Sequence, residues 1–180
     1  MNDMLLNKKL LMPTNIELLA DLLIKNSYSL ATAESCTGGM IAAACTDLAG
    51  SSAWFERGFV TYSNAAKTQA LGVPASLIET EGAVSEAVVC AMARGALSHS
   101  KAQVTVAVTG IAGPTGGSVL KPVGTVWFGF SVPGFEQVIS EVRCFKGDRA
   151  AVRLATVEHA LNRLNELLTS KETQASLQKA

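Results

Sequence analysis

Ser35 and Lys67 are the residues of this sequence whose types and positions best suit nucleophilic chemistry. The chain has only two histidines, His99 and His159, and both fall at or inside predicted helices, so a Ser-His-Asp triad is poorly supported. A serine can instead be activated by a neutral lysine. A free lysine has a pKa of about 10.4, so Lys67 needs partial burial or the positive end of a helix to act as a base.

Ser35 could instead have a structural role, and the neighbouring Cys36 could be the nucleophile instead. Ser35 stands at a predicted strand-to-helix junction, where an N-cap is the more common role of a serine. The free backbone N–H groups at such a junction can equally hold an oxyanion or an anionic ligand. Cys36 is an alternative nucleophile, but no basic residue stands beside it, and a buried inert thiol is the more common case.

Three further residues could assist the reaction or bind the substrate. Tyr62 precedes Lys67 at the end of a predicted strand, where its hydroxyl could orient the amine or pass a proton. Arg149 stands beside a predicted helix start and could bind a phosphate in bidentate fashion, although a lone arginine is more often simply solvated. Thr109 begins the glycine-rich loop 109–117, whose backbone can approach a ligand closely. That loop fits neither a P-loop nor a dinucleotide fingerprint, so ATP or NAD binding is weakly supported.

Composition narrows the function classes. Hydrophobic residues make up 48% of the chain and charged residues 17%, a globular balance that predicts one domain. Fifteen basic and fifteen acidic residues leave no net charge, which argues against a nucleic-acid or anionic-membrane surface. No apolar run is long enough to span a membrane, and no signal peptide is evident, so a cytoplasmic location is expected.

Neither a metal nor a disulfide framework is predicted. The four cysteines are widely spaced, with no Cys-x-x-Cys pair and no neighbouring histidine, and they read as reduced thiols. The histidines lack the paired spacing of a metal hydrolase. No cofactor is therefore expected.

Apolar spacing and capping residues predict an alternation of helices and strands. Helices are expected around 16–23, 37–48, 63–71, 74–79, 85–97 and 148–168, and strands over 28–34, 54–62, 102–109, 123–131 and 137–145. Ser63 and Ser85 are the expected caps of the helices that they begin. The strands at 102–109 and 123–131 are apolar on both faces, so helices should cover both sides of the sheet. This order predicts a three-layer α/β/α sandwich with a mixed, mostly parallel sheet and one antiparallel strand.

The topology places the candidate residues at one rim. Ligands of open α/β sheets gather at the carboxyl ends of parallel strands, and Ser35, Tyr62 and Thr109 each lie at or just past such an end. If the strand 102–109 runs toward this rim, the next runs away and the last returns. Arg149 should then reach the same rim.

Five motifs, taken in order, resemble the CinA C-terminal-domain family. They are Ala33-Glu34-Ser35-Cys36-Thr37-Gly38-Gly39, Gly58-Phe59-Val60-Thr61-Tyr62-Ser63-Asn64, Gly82-Ala83-Val84-Ser85-Glu86, Thr109-Gly110-Ile111-Ala112-Gly113-Pro114 and Lys121-Pro122-Val123-Gly124-Thr125-Val126. The resemblance covers residues 15–168. It leaves residues 1–14 as an N-terminal extension and 169–180 as a polar tail that is expected to fray.

The resemblance implies a metal-free serine amidase that converts nicotinamide mononucleotide to nicotinate mononucleotide and ammonia, within pyridine-nucleotide recycling. The family's nucleophile falls on Ser35, its lysine base on Lys67 and its assisting tyrosine on Tyr62. A hydroxyl residue and an arginine of the family's site fall on Thr109 and Arg149. Family members are usually dimers, so a homodimer is expected.

Backbone groups complete the expected site. Thr37, Gly38 and Gly39 are candidates for substrate binding, with the two glycines and Arg149 holding the ribose phosphate. N–H groups near Ser35 or the 110–113 loop, which contains Gly110 and Gly113, are candidates for the oxyanion hole. Two alternatives stay open: a non-catalytic nucleotide-binding or regulatory domain, and a thiol amidase that uses Cys36.

Overall fold

The computed structural model describes residues 13–177, so residues 1–12 and 178–180 of the expected extension and tail lie outside it. Its helices are α1 (Pro13–Lys25), α2 (Met40–Thr46), α3 (Asn64–Leu71), α4 (Ala75–Glu81), α5 (Glu86–Ser98) and α6 (Arg149–Leu177), with a 3₁₀ turn at Ser51–Ala53. Its strands are β1 (Leu30–Glu34), β2 (Phe55–Val60), β3 (Val104–Gly110), β4 (Thr125–Ser131) and β5 (Ile139–Cys144). No helix in this part of the chain is long and apolar enough to cross a membrane.

The strands form one mixed sheet in the order β2-β1-β3-β4-β5. The strand β1 pairs in parallel with β2 and β3, whereas β4 pairs antiparallel with both β3 and β5. The prediction of one strand running against the others is therefore confirmed. The description of the sheet as mostly parallel is wrong in detail, because the two pairings of β4 are antiparallel.

Helices cover both faces of the sheet, which confirms the three-layer prediction. On one face α1, α2 and α6 pack on side chains such as Val106 and Phe128, and on the other α3, α4 and α5 pack on Ala33 and Ala107. Alternate residues of β3 thus enter opposite cores, as the period of a strand requires. Gly129 of β4 lets α5 pack close to the sheet, because a Cβ at this position would lie 2.9 Å from the carbonyl oxygen of Val89 in α5.

The start of α2 and the end of α6 differ from the sequence prediction. The helix predicted from residue 37 begins at Met40, because Gly38 and Gly39 adopt φ values of +61° and +99° that no right-handed helix contains. The last helix continues past the predicted end at 168 to Leu177. Neither glycine nor proline occurs between 169 and 177 to end it.

Two helix caps and the sheet edge that carries the candidate residues agree with the sequence prediction. The Ser63 hydroxyl accepts the Ala66 N–H and caps α3, and the Ser85 hydroxyl accepts the Val88 N–H and caps α5, both as predicted. Because β1, β2 and β3 are parallel, their carboxyl ends share one edge, and β5 returns the chain to that edge where α6 begins. This edge carries the candidate site.

Candidate active site

Ser35 and Lys67 form a direct contact in the structure. Lys67 Nζ lies 2.9 Å from Ser35 Oγ and 2.9 Å from the Thr61 carbonyl oxygen. The lysine is 1% exposed and the serine 8%. Burial lowers the pKa of Lys67 below its usual 10.5, and no carboxylate within the described residues forms an ion pair with it to reverse this effect. A buried amine with a lowered pKa beside a hydroxyl is the arrangement that a Ser-Lys hydrolase needs.

Three elements fix this contact. Ser35 directly follows β1, and its N–H donates to the Val108 carbonyl of β3 at 3.1 Å, so its backbone continues the sheet. Lys67 lies in α3, whose start is capped by Ser63. The end of α3 packs closely on α5, because Gly95 leaves space for the Leu71 carbonyl.

The helix start after Ser35 is organised by Glu34, which the sequence reasoning missed. The carboxylate of Glu34 is fully buried and accepts hydrogen bonds from backbone and hydroxyl groups around the start of α2. The donors are the N–H groups of Gly39 (3.0 Å), Ile41 (3.0 Å) and Ala42 (2.8 Å) and the hydroxyls of Thr37 (2.7 Å) and Thr32 (3.2 Å). Glu34 thereby takes the place of an N-cap, and the N-cap role considered for Ser35 is wrong.

The structure does not bring Thr37, Gly38 and Gly39 into the cleft, although the sequence predicts that they bind substrate. The Thr37 hydroxyl and the Gly39 N–H donate to Glu34, and the Gly38 N–H donates to the Ser35 carbonyl at 3.1 Å. The predicted phosphate contact by the two glycines is therefore not supported by this geometry. Glu34 stands immediately before Ser35 in the sequence. An acidic residue at that position was the signal that could have indicated an acceptor, other than substrate, for the N–H groups that follow.

A cleft of about 250 Å³ opens beside the Ser35–Lys67 pair. Its lining consists of Ser35, Cys36, Tyr62, Asn64, Lys67, Ala83, Val84, Thr109, Gly110, Ala112 and Arg149. No carboxylate lines it, so the guanidinium of Arg149 gives the cleft a positive charge. A larger depression of about 610 Å³ lies between α5 and the β4–β5 connection, but its lining includes neither lysine nor histidine.

Arg149 bridges two sides of the cleft. It donates to the Gly113 carbonyl at 3.0 Å and to the Tyr62 hydroxyl at 2.9 Å. The predicted contact between Tyr62 and Lys67 is thus wrong in this structure, because the adjacent Thr61 carbonyl holds the amine instead. Tyr62 nevertheless lines the cleft and is 61% exposed, so its ring is open to a ligand.

The loop after β3 contributes one wall. The Thr109 hydroxyl is buried and donates to the Ala83 carbonyl at 2.8 Å, which ties β3 to the segment before α5. Gly110 lines the cleft, and a Cβ there would lie 2.7 Å from Val126 Cγ2. Gly113 meets Arg149 through its carbonyl oxygen rather than through an N–H donor.

Cys36 lines the cleft with a thiol that is poorly suited to attack. Burial raises the pKa of Cys36 to about 11, with Glu34 adding to the rise and backbone N–H groups and Lys67 opposing it. A nucleophilic cysteine needs a lowered pKa. No group of three metal-ligating side chains occurs in the part of the chain that the structure describes.

The model of the CinA C-terminal domain family matches residues 14–168 of this sequence. The chain belongs to this family. Among curated members, the nicotinamide-nucleotide amidohydrolase PncC of Enterobacter agglomerans is 54% identical over 87% of this chain and 94% of its own length. The protein of the same name from Pseudomonas putida is 59% identical over 77% of this chain and 85% of its own.

Solved structures of the CinA family share the fold. The competence/damage inducible protein CihA from Agrobacterium tumefaciens is 47% identical, with a TM-score of 0.79 over 88% of this chain and 98% of that chain. The competence damage-inducible protein A from Klebsiella pneumoniae is 41% identical, with a TM-score of 0.80 over 87% of this chain and 98% of that one.

Proposed function

We propose that this CinA-family protein hydrolyses the carboxamide of nicotinamide mononucleotide, giving nicotinate mononucleotide and ammonia. The observation that carries the proposal is the buried amine of Lys67 at 2.9 Å from Ser35 Oγ, inside the positively charged cleft. The names of the PncC relatives support the choice of substrate. We place the reaction in pyridine-nucleotide recycling, because its product is itself a pyridine mononucleotide.

The first half-reaction would use the neutral form of Lys67. The amine donates to the Thr61 carbonyl and accepts the proton of Ser35, whose Oγ attacks the carboxamide carbon. The resulting tetrahedral intermediate collapses as the Lys67 ammonium returns a proton to the leaving nitrogen. Ammonia departs, and an ester joins the substrate acyl group to Ser35.

The second half-reaction reverses these roles with water. Lys67 takes a proton from the water as it attacks the ester carbonyl, and the proton is then passed to Ser35 Oγ as the ester bond breaks. The product forms as the carboxylic acid and leaves as nicotinate mononucleotide once its carboxyl proton has passed to solvent. No metal is needed at any step, because the serine supplies the nucleophile and the lysine moves the protons.

Arg149 would select for the phosphate of the substrate. It lines the cleft beside Tyr62, and its two hydrogen bonds within the described residues leave further N–H groups of the guanidinium available for an anion. A substrate with a phosphate is therefore preferred over free nicotinamide. The exposed Tyr62 ring would contact the substrate while its hydroxyl accepts the hydrogen bond from Arg149.

The test measures ammonia and nicotinate mononucleotide in the presence of EDTA, for the intact protein and for Ser35→Ala. We expect turnover of nicotinamide mononucleotide by the wild type and its loss in Ser35→Ala. The control Ser98→Ala changes an exposed serine of α5 outside the cleft and should keep full activity. Undiminished ammonia release by Ser35→Ala would overturn the proposal.

Two comparisons separate the alternatives. Nicotinamide riboside lacks the phosphate, so we expect a higher KM with it than with the mononucleotide, and Arg149→Met should remove most of that difference. Cys36→Ala should keep the activity, whereas a thiol amidase would lose it. Tight mononucleotide binding with no ammonia production would instead identify a non-catalytic binding domain.

A further inference from the structure

The loop that carries the nucleophile, residues 35–39, is held from two sides by charged side chains. Glu34 accepts the N–H groups on the side of α2, as described above. On the other side Arg153 of α6 donates through Nε to the Cys36 carbonyl at 3.2 Å and through Nη2 to the Thr37 carbonyl at 2.8 Å. Arg153 is half-buried and does not line the cleft.

Some backbone N–H groups of this loop donate to acceptors within the protein, and others do not. Ser35 N–H donates to Val108, Gly38 N–H to the Ser35 carbonyl, and Gly39 N–H to Glu34. Within residues 13–177, no backbone carbonyl or carboxylate accepts the N–H groups of Cys36 and Thr37. These two are therefore the available donors next to the nucleophile.

The two peptides that carry these N–H groups, Ser35–Cys36 and Cys36–Thr37, begin at residues that line the cleft. Cys36 and Ser35 line the cleft together. The C=O and N–H of a trans peptide point in opposite directions, so holding the Cys36 carbonyl toward Arg153 turns the Thr37 N–H away from α6.

We propose that the N–H groups of Cys36 and Thr37 form the oxyanion hole for the intermediate on Ser35. Arg153 is the positioning residue that keeps the Thr37 N–H aimed at this intermediate, through the Cys36 carbonyl of the same peptide. This inference rests on the proposed amide hydrolysis. The negative charge develops on the carboxamide oxygen only as Ser35 attacks, so the two donors act mainly in the transition state. Arg153 acts through the peptide that it holds and makes no contact with substrate.

The first test compares Arg153→Met and Arg153→Lys in the ammonia assay. Loss of one oxyanion donor costs about 10²- to 10³-fold in kcat, and we expect loosened donors in Arg153→Met to cost about 10- to 100-fold. The KM for nicotinamide mononucleotide should stay unchanged. Arg153→Lys retains one donor to the loop and should recover part of kcat.

A matched control lies on the same helix. Arg163 pairs with Glu141 and Glu166, away from the cleft, so Arg163→Met should keep kcat and KM. Full kcat in Arg153→Met, or a raised KM with normal kcat, would contradict the proposal. The first result would mean a purely structural arginine and the second a substrate-binding one.

A second measurement does not depend on the proposed substrate. A fluorophosphonate reacts with an activated serine when Ser35 Oγ displaces fluoride from phosphorus and the serine proton passes to Lys67, with the phosphoryl oxygen bound in the oxyanion hole. Mass spectrometry of the intact protein gives the labelling rate. We expect slower labelling in Arg153→Met than in wild type and Arg163→Met.

The two measurements separate the two ideas. If the wild type labels at Ser35 but releases no ammonia from nicotinamide mononucleotide, the proposed function fails, and the labelling rates still decide the role of Arg153. Equal labelling of wild type and Arg153→Met contradicts the oxyanion-hole proposal. No labelling of the wild type at Ser35 contradicts both, because Ser35 would then not be activated.

Discussion

Lys67 is a buried amine whose hydrogen-bond partners are neutral oxygen atoms. Burial lowers its pKa, because the Ser35 hydroxyl and the Thr61 carbonyl do not replace the solvation of a full charge. The proposed mechanism requires the neutral amine. We therefore expect protonation of Lys67 to lower both the activity and the free energy of unfolding.

The rate of ammonia release should depend on the protonation of Lys67. As pH falls through its lowered pKa, the amine becomes an ammonium and loses the ability to accept the Ser35 proton. We expect kcat/KM to rise with pH along a curve whose midpoint lies below 10.5. A pH profile of kcat/KM measures this midpoint, and a midpoint at or above the ordinary lysine value would contradict the assignment.

Lys67→Met should stabilise the fold at neutral pH while it removes activity. A group whose pKa is lower in the folded state binds fewer protons there than in the unfolded chain, so the free energy of unfolding rises with pH between the two pKa values. Methionine removes this penalty of the buried charge. The gain in stability should shrink as pH approaches 10.5. Denaturant unfolding of both proteins across this range measures it, and a constant difference would contradict the argument.

Most residues that line the cleft could be predicted from the sequence. Ser35, Tyr62, Lys67, Thr109 and Arg149 all line one cleft, as strand order predicted. The partners of these side chains could not be predicted in the same way, because they depend on loop geometry. The Thr61 carbonyl makes the contact with Lys67 that was expected of Tyr62. The contact of Arg153 with the loop 35–39 forms only through the packing of α6 on that loop, which local sequence does not indicate.

Close packing of α3 against α5 determines where Lys67 lies. A Cβ on Gly95 would lie 2.0 Å from the Leu71 carbonyl oxygen, so any larger residue must displace the end of α3. We expect Gly95→Ala to destabilise the protein by about 1 to 3 kcal/mol and to lower kcat, because Lys67 lies one turn earlier in the same helix. Ser98→Ala on α5 is the control. Thermal unfolding and ammonia release check this, and unchanged values for both would contradict it.

The start of α2 shows where prediction of elements fails. Alternating strands and hydroxyl caps were readable from local sequence, and Ser63 and Ser85 cap helices as expected. The stretch after Ser35 looked like a helix start, but Gly38 and Gly39 take left-handed conformations and Glu34 binds the N–H groups. A buried carboxylate that reaches back over a turn is a tertiary feature, which local propensity does not describe.

The whole molecule is a three-layer sandwich whose sheet is open at β2 and β5. Its layer order was predictable, because strands that are apolar on both faces require helices on both sides. The proportion of parallel and antiparallel pairs was harder to predict, because it depends on which strands lie next to β4 and β5 in the sheet. The expected cytoplasmic location stays a prediction.

The homodimer implied by the family resemblance is also a prediction at this scale. Sedimentation analysis should give roughly twice the chain mass of 18.8 kDa, with dissociation only on dilution. The measurement should be repeated with Ser35→Ala, whose substitution within the cleft should leave the association unchanged. A mass of 18.8 kDa at every concentration would contradict the expected dimer.

The central claim, that Ser35 and Lys67 act as one catalytic unit, is tested most directly by a double-mutant cycle of ammonia release from nicotinamide mononucleotide. The kcat/KM values of Ser35→Ala, Lys67→Met and the double variant are compared with that of the wild type. Residues that act as a unit have strongly non-additive effects, so we predict that the double variant is no slower than either single one. Losses that multiply independently, or a single variant with wild-type kcat/KM, would contradict the account.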